Sequence, residues 1–327
     1  MLVFCRHGIN PQCRQKNTVR GGRILNIAKQ KNNLGILARK EERAFYLFIT
    51  PWLIGFFVFT IGPILASLYF SFNFYDVVSP ARWVGLQNYS DMMKDQLFWQ
   101  ALKVTGVYSV GSVTLGILAS LAIALLLNRD IRGVAVFRTV FYLPSVISGV
   151  AVSLLWMWLL NSDFGMVNFL LWRIFHIEGP SWLMNRLWVI PSMVLMSMWS
   201  IGGSIVIYLA RLQGIPTQYY EAAEIDGAGY WSRLLNITLP MMTPVIFFNM
   251  ITGVIGSFQV FTQAYVMTNG GPNNASLFYV LYLYRNAFRY WRMGYASAQA
   301  WILFLILLVL TALLLSTSRR WVYYEAD

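Results

Sequence analysis

Six stretches of this chain contain no aspartate, glutamate, lysine, arginine or histidine: residues 45–70, 104–127, 139–160, 188–210, 241–266 and 295–317. As a helix, each is long enough to cross a hydrocarbon core about 30 Å thick, which takes roughly 20 residues. Inside a bilayer every backbone N–H and C=O must be paired within the protein, so an apolar run of that length folds as a helix. The implied fold class is an all-α integral membrane protein with six transmembrane helices. An even number of spans puts both termini on one side. With 57% of 327 residues hydrophobic and 12% charged, a water-soluble core could not hide the apolar surface.

Orientation follows from the basic residues. Segments 1–44, 128–138, 211–240 and 318–327 hold 17 Lys and Arg, against 8 in segments 71–103, 161–187 and 267–294. The excess marks the cytoplasmic side, so both termini are expected there. The chain divides into a basic N-terminal segment 1–44, a six-span domain 45–318 and a tail 319–327. The first segment is expected to be partly disordered, with an interfacial helix near Leu34 to Arg43 held to an anionic leaflet by about 1 kcal/mol per basic side chain. The net charge of +12 is concentrated there, in a stretch too short for a nucleic-acid recognition fold, so the bilayer and not nucleic acid is the expected partner. Cys5 and Cys13 fall on the cytoplasmic side, where no disulfide is expected. With His7 they fall short of the four ligands of a structural zinc site, so no metal is expected. MLVF before Cys5 is too short for a signal sequence, and residues 45–70 are expected to serve as an uncleaved one.

Several chemistries are missing. None of the six lysines follows a glycine in a phosphate-binding context, so the chain does not hydrolyse ATP by that machinery. His7 and His176 have no nucleophile or ligand set beside them, and His176 reads as a surface residue of an aromatic loop. The expectation is a non-enzymatic chain. Ion-coupled carriers generally keep intramembrane carboxylates or histidines, and these spans have none. The path therefore suits a neutral polar solute, and the driving energy has to enter from outside the bilayer.

Within the spans, Gly106, Ser109, Gly111, Ser112, Gly116, Ala119 and Ser120 recur at three- and four-residue steps, a pattern for close helix packing. Pro144 is expected to bend the third span, with Ser145, Ser148 and Ser153 on the bent stretch. Asn249, Gly253 and Gly256 share a face of the fifth, with Thr252 and Gln259 beside it. Uncharged polar groups in such helices usually face the bundle interior or a cavity. Between the fourth and fifth spans lies an amphipathic loop. Gln218 to Asp226 reads as a helix that Thr217 can cap after Pro216 and that Gly227 and Gly229 break. A second short helix follows and is expected to end at Pro240.

Glu221-Ala222-Ala223, then Gly227, Ile237 and Leu239-Pro240 resemble, in identity and spacing, the EAA loop of permease subunits of ATP-binding-cassette (ABC) importers. Ile215-Pro216 before it and IDGA from Ile225 are similar to the carbohydrate branch, the maltose and glycerol-phosphate permease type. So are RGVAVFRTVFYLPSVISGVAVSLLW from Arg132, the run Thr268-Asn269-Gly270-Gly271-Pro272, and NAFRYWRMGYASA at 286–298. The resemblance covers about Phe45 to Arg320. It lacks the extra leading spans and the large external insertion of the maltose permease subunit.

The resemblance implies a type I ABC importer permease bundle in the plasma membrane of a prokaryote, moving a sugar or oligosaccharide by alternating access. Loop 211–240 would couple it to a separate ATPase through Glu221, Ala222, Ala223, Ile225, Asp226, Gly227, Leu239 and Pro240. Glu221 would cap the helix or pair with basic groups, Ala222, Ala223 and Ile225 would pack in a cleft, and Gly227 would make the turn. The implied partners are two ATPase subunits, a second paralogous permease and an extracellular or periplasmic solute-binding protein. The chain itself would carry no cofactor, ATP and Mg residing on the ATPase. By family position the substrate path would include Ser148, Ser197, Trp199, Ser200, Gly253, Ser257 and Gln259. The alternatives are a polyol or a glycerol-phosphate-type ester as solute, or a membrane-embedded transferase. The last would need clustered acidic or histidine residues at one interface, which Asp163 and Glu178 do not supply.

Overall fold

The computed structural model describes residues 40–129 and 133–323, in two compact units divided at Ala66 and Ser67. Cys5, Cys13, His7 and most of the expected Leu34 to Arg43 helix lie outside the described residues. The first helix, α1 (Lys40–Ser71), contains the division between the units, and its most apolar stretch has no buried residue. A turn of π-helix at Phe57–Ile61 sends the Gly62 N–H five residues back to the Phe57 carbonyl, just ahead of Pro63.

The second unit begins with a short antiparallel hairpin, β1 (Asn73–Phe74) and β2 (Arg82–Trp83), in which Asn73 faces Trp83. Helix α2 (Gln87–Lys94) leads into α3 (Gln96–Leu127), the central post. Asp95 caps α3, its Oδ1 accepting the Leu97 N–H at 2.9 Å. Its Oδ2 accepts the phenols of Tyr282 and Tyr295, the latter at 2.7 Å. Burial alone would raise the Asp95 pKa. The two phenols and the backbone N–H groups of Leu97 and Phe98 outweigh it, so the carboxyl is held below its ordinary value. Burial, reinforced by the bond to Asp95, pushes the Tyr282 phenol up to about 12.

The remaining elements pack around α3. Helix α4 (Val134–Tyr142) and α5 (Gly149–Leu159) are separated by a 3-10 turn at Leu143–Val146 and bent by 101°. Pro144 sits in that turn, as expected. The basic turn expected over Asn128 to Arg138 is helical from Val134, because Gly133 at φ +85° starts the helix sooner. After α6 (Met166–Phe175), ended by His176 in the left-handed conformation, come α7 (Val189–Trp199) and α8 (Gly202–Gln213), bent by 49°. Helix α9 (Thr217–Ile225) and the long α10 (Tyr230–Phe258) follow. A π turn at Ala264–Thr268, α11 (Tyr279–Tyr284) with a π turn at Arg285–Arg289, and α12 (Met293–Ser318) complete the chain. Among the described residues, helices α1, α3, α10 and α12 are long and apolar enough to cross a membrane, and the count reaches six if each bent pair is one span.

Two boundaries differ from the sequence reading. Pro216 occupies the N-cap of α9 and Thr217 is its first helical residue, with no side-chain cap bond. Pro240 ends nothing: α10 begins at Tyr230, passes Pro240 and Pro244 and stops at Phe258, so the fifth apolar helix is displaced toward the N-terminus from 241–266. A turn of π-helix at Leu234–Thr238 explains the continuity. The Leu239 N–H reaches back to the Leu234 carbonyl, so the ladder steps over the donor that Pro240 lacks.

Two core clusters sit at the two ends of α3. Near its start, Phe98, Tyr108, Met193, Phe278 and Tyr279 pack together. Near its end, Leu121, Leu127, Tyr208, Leu212 and Met242 do so, with Tyr220 and Ile237 against them. The small residues of α3 act as expected: Gly111 lets Val194 approach within 3.2 Å of where a Cβ would stand, and Ser109 Oγ meets Ser257 Oγ at 2.6 Å.

Candidate functional site

Helix α9 projects a polar and apolar knob into solvent. Glu221, Ala222, Glu224, Ile225 and Asp226 are exposed and Ala223 is half-buried, with Ile225 88% exposed. A large apolar side chain left so open costs nothing structural only if the fold does not need it. Gly227 closes the helix at φ +74°, a conformation that favours glycine, and the Ala228 N–H bonds the Ala223 carbonyl at 2.8 Å. Across that turn Glu224 pairs with Arg233 in the first turn of α10. Tyr220 and Thr238 share a hydroxyl bond at 3.0 Å, and Arg211 Nε donates to the Met241 carbonyl at 3.0 Å. Leu239 is half-buried against the cluster near the end of α3, and Pro240 is half-buried as well, so neither is part of the exposed knob. Trp231, 71% exposed, and Leu235, 57% exposed, extend the apolar surface beyond the residues expected from sequence.

At the other end of α10 lies a cavity of about 360 Å³ between α3, α7, α8 and α10. It brings together Ser197, Ser200, Gly253 and Ser257, four of the seven expected path residues, with Asn249 and Gly256 from the shared face of α10. The other three lie elsewhere. Ser148 is exposed and caps α5, accepting the Ala151 N–H at 3.4 Å. Gln259 is exposed at the end of α10. Trp199 packs edge-on against Trp156, ring centroids 6.2 Å apart. Tyr108, Ser112, Gly116 and Ser204 also line the cavity and were not expected there. The small residues of α3 read as packing, and the serines interleaved among them were the available signal.

The lining has no acid, no base and no histidine, so it offers hydroxyl, amide and backbone groups to a solute. Several of its side chains are already engaged: Ser197 Oγ donates to the Val194 carbonyl at 2.7 Å, and Ser257 Oγ to that of Val254 at 2.8 Å. A hydroxyl that donates still accepts, so each can receive a bond from a ligand O–H. At Gly253 a Cβ would meet Val113 at 3.5 Å, an ordinary contact, so the wall has room for a methyl group there. Gly202 sets the approach of the α7–α8 bend to α4: a Cβ would stand 2.5 Å from the Phe141 carbonyl oxygen. Among the described residues, no group of three or more His, Cys, Asp or Glu could hold a metal ion.

Comparison with known proteins places this architecture. Residues 112–323 match the family model of the "Binding-protein-dependent transport system inner membrane component", and the chain belongs to that family. It is thus a multi-pass inner-membrane component of an ABC importer, a permease subunit without catalytic activity of its own. It is 43% identical over 292 residues to the probable ABC transporter permease protein YesP of Bacillus subtilis, covering 88% of this chain and 94% of that one. It is 35% identical to the lactose transport system permease protein LacF of Rhizobium radiobacter, covering 84% and 94%. Among solved structures, it is similar to a chain of a bacterial ABC transporter involved in the import of the acidic polysaccharide alginate. That match has a TM-score of 0.76 and 25% identity, covering 86% of this chain and 96% of the other.

Proposed function

We propose that this chain carries a neutral sugar or oligosaccharide inward through the cavity between α3, α7, α8 and α10, driven by an ATPase docked on α9. The observation that carries the reading is the single helix α10. It runs 29 residues without a break, from the turn that closes the α9 knob to Asn249, Gly253, Gly256 and Ser257 in the cavity wall. Displacing α9 therefore displaces one wall of the solute site. The uncharged lining supports a neutral solute, whereas an anionic ester would call for a cation in that wall. The named solute of the lactose permease relative points the same way.

The membrane part of the reading is six spans, with each bent pair counted as one, and both termini and α9 in the cytoplasm. Loop 211–240 then faces ATP. Two ATPase subunits, which hold the ATP and Mg, bind below, a second permease completes the path, and an external solute-binding protein delivers from above. ATP binding draws the docked loops together and turns the cavity outward, and hydrolysis resets it. The two states have to differ in loop contacts for ATP to bias them. Ile225 and Ala222 fill the ATPase cleft, Glu221 pairs with basic groups on it, and Asp226 and Gly227 turn the chain back. Leu239 and Pro240 carry the cavity-bound helix past its π turn.

Gly227→Pro is the test. Proline cannot adopt φ +74°, so α9 loses its seat while the spans still insert. ATP-driven uptake in proteoliposomes should vanish with membrane insertion unchanged, and normal uptake would exclude coupling through this loop.

A further inference from the structure

The hairpin β1–β2 is tied to the start of α12. The Gly294 N–H bonds the Tyr75 carbonyl at 3.1 Å, and Gly294 has no room for a Cβ beside the Asn73 carbonyl. Asn88 Nδ2 donates to the Ser71 and Asn73 carbonyls, each at 2.9 Å. These ties frame a cavity of about 410 Å³ whose wall includes Tyr75, Gln87, Asp91, Tyr290, Trp291 and Arg292. The volume lies within the range of about 300–1,000 Å³ usual for small-molecule sites. None of these residues belongs to the cavity around α10.

The wall has an unusual backbone. Trp291 sits at φ +55°, a conformation a bulky side chain rarely adopts, and the Arg292 N–H holds the turn by bonding the Asn286 carbonyl at 2.8 Å. That turn leaves the Trp291 indole and the Tyr290 phenol half exposed at the cavity. The Arg292 guanidinium lies 4.5 Å from the centre of the Tyr295 ring. The side chains of Gln87 and Asp91 line the cavity at exposed positions. An open carboxylate, an amide and a guanidinium beside aromatic faces match one ligand chemistry. Planar polar groups take ring hydroxyls in pairs, and aromatic faces take the C–H side of the ring. Asp91 and Asp76 oppose a phosphate or a carboxylate, and a bare cation would meet Arg292.

We propose that this cavity is a second saccharide subsite, separate from the one in the α10 wall. In the topology given above it opens on the outer face, where a sugar can be held before it enters the path. Its existence does not depend on the transport reading, because binding alone reveals it.

The experiment is calorimetric titration of the full chain in lipid nanodiscs with lactose, maltotriose and arabinotriose. At least one should bind saturably with a Kd on the order of 1 mM, as an open, partly wet site would give. Asp91→Asn, a change at an exposed residue, and Trp291→Ala should each weaken that binding by about tenfold or more. Gly253→Trp, which fills the α10 cavity, should leave intact the component of binding that Asp91→Asn and Trp291→Ala weaken. Binding lost in Gly253→Trp but kept in the other two would assign it to the α10 cavity and overturn the proposal. So would the absence of saccharide binding in a normally melting chain, or variants that weaken only capture of the solute-binding protein. Loss of uptake in Gly227→Pro bears on the transport reading alone.

Discussion

Pro144 and Pro240 remove the same backbone donor, yet the segment around Pro144 turns through 101° while the helix around Pro240 runs unbroken from Tyr230 to Phe258. After Pro144 the chain goes extended, with Ile147 and Ser148 at ψ 141° and 142°, and a new helix starts at Gly149 under the Ser148 side chain. Before Pro240 the helix widens by one residue, and the Leu239 N–H keeps the ladder by reaching the Leu234 carbonyl. Helix α1 repeats the second solution, with the Gly62 N–H on the Phe57 carbonyl ahead of Pro63. A proline bends a helix when the carbonyl it orphans finds no other donor. Where the chain can step back five residues, the axis survives. The broken element can serve as a wall, and the continuous one can transmit a displacement.

The largest effect should come from removing the device that keeps α10 whole. Deleting Asn236 takes the extra residue out of the π turn, so the donor missing at Pro240 falls in a regular ladder and α10 should bend there. Uptake should fall by the whole coupling between the two sites, on the order of 5–150-fold. Solute binding to the α10 cavity, measured by calorimetry, should be kept. If uptake survives, α10 is no more a lever than the bent pair.

Gly202→Val attacks the other side of the comparison. The bend between α7 and α8 sits against the backbone at Phe141 and Tyr142, which cannot rotate away as a side chain can. The overpacking should cost about 2–3 kcal/mol in thermal unfolding. An unchanged melting temperature would mean that the α4–α5 elbow floats free of α8.

Both elements lean on α3, and Asp95 fixes its start. Asp95→Asn should cost about 1 kcal/mol at neutral pH, at the low end for charge-assisted bonds because the carboxylate is partly exposed. The sign with pH follows from a carboxyl held below its ordinary value of 3.8. Its contribution is complete above that value and is lost as pH falls through the lower folded one, so the gap between the two proteins should close in acid. Ser148→Ala, which removes only the long cap bond at the restart of the broken helix, should cost about 0.5 kcal/mol.

Much of this was legible in the residues. The six uncharged runs correspond to the four long helices and the two bent pairs, because the bilayer permits little else. The fifth run was misplaced because Pro240 read as a terminator, and nothing in LLNIT announces a π turn. The short helix expected before Pro240 and the fifth apolar run are one helix from Tyr230 to Phe258. Within the site, Ser197, Ser200, Gly253 and Ser257 could be named as polar groups in apolar helices. Tyr108, Ser112 and Ser204 were not distinguished, since small and polar residues on α3 and α8 serve packing and lining alike. Ser148 and Gln259 stand outside the cavity because each sits at a helix end, which a linear reading places in mid-span.

Ile225 is 88% exposed on a helix of nine residues, Thr217–Ile225. A side chain with so few neighbours in its own chain is nearly free to vary without harm to folding. Such a position is available to drift in step with whatever surface receives it. On the proposed docking of an ATPase at α9, compatibility between a permease of this kind and a foreign ATPase is a local property, carried by a handful of side chains that the rest of the molecule does not constrain.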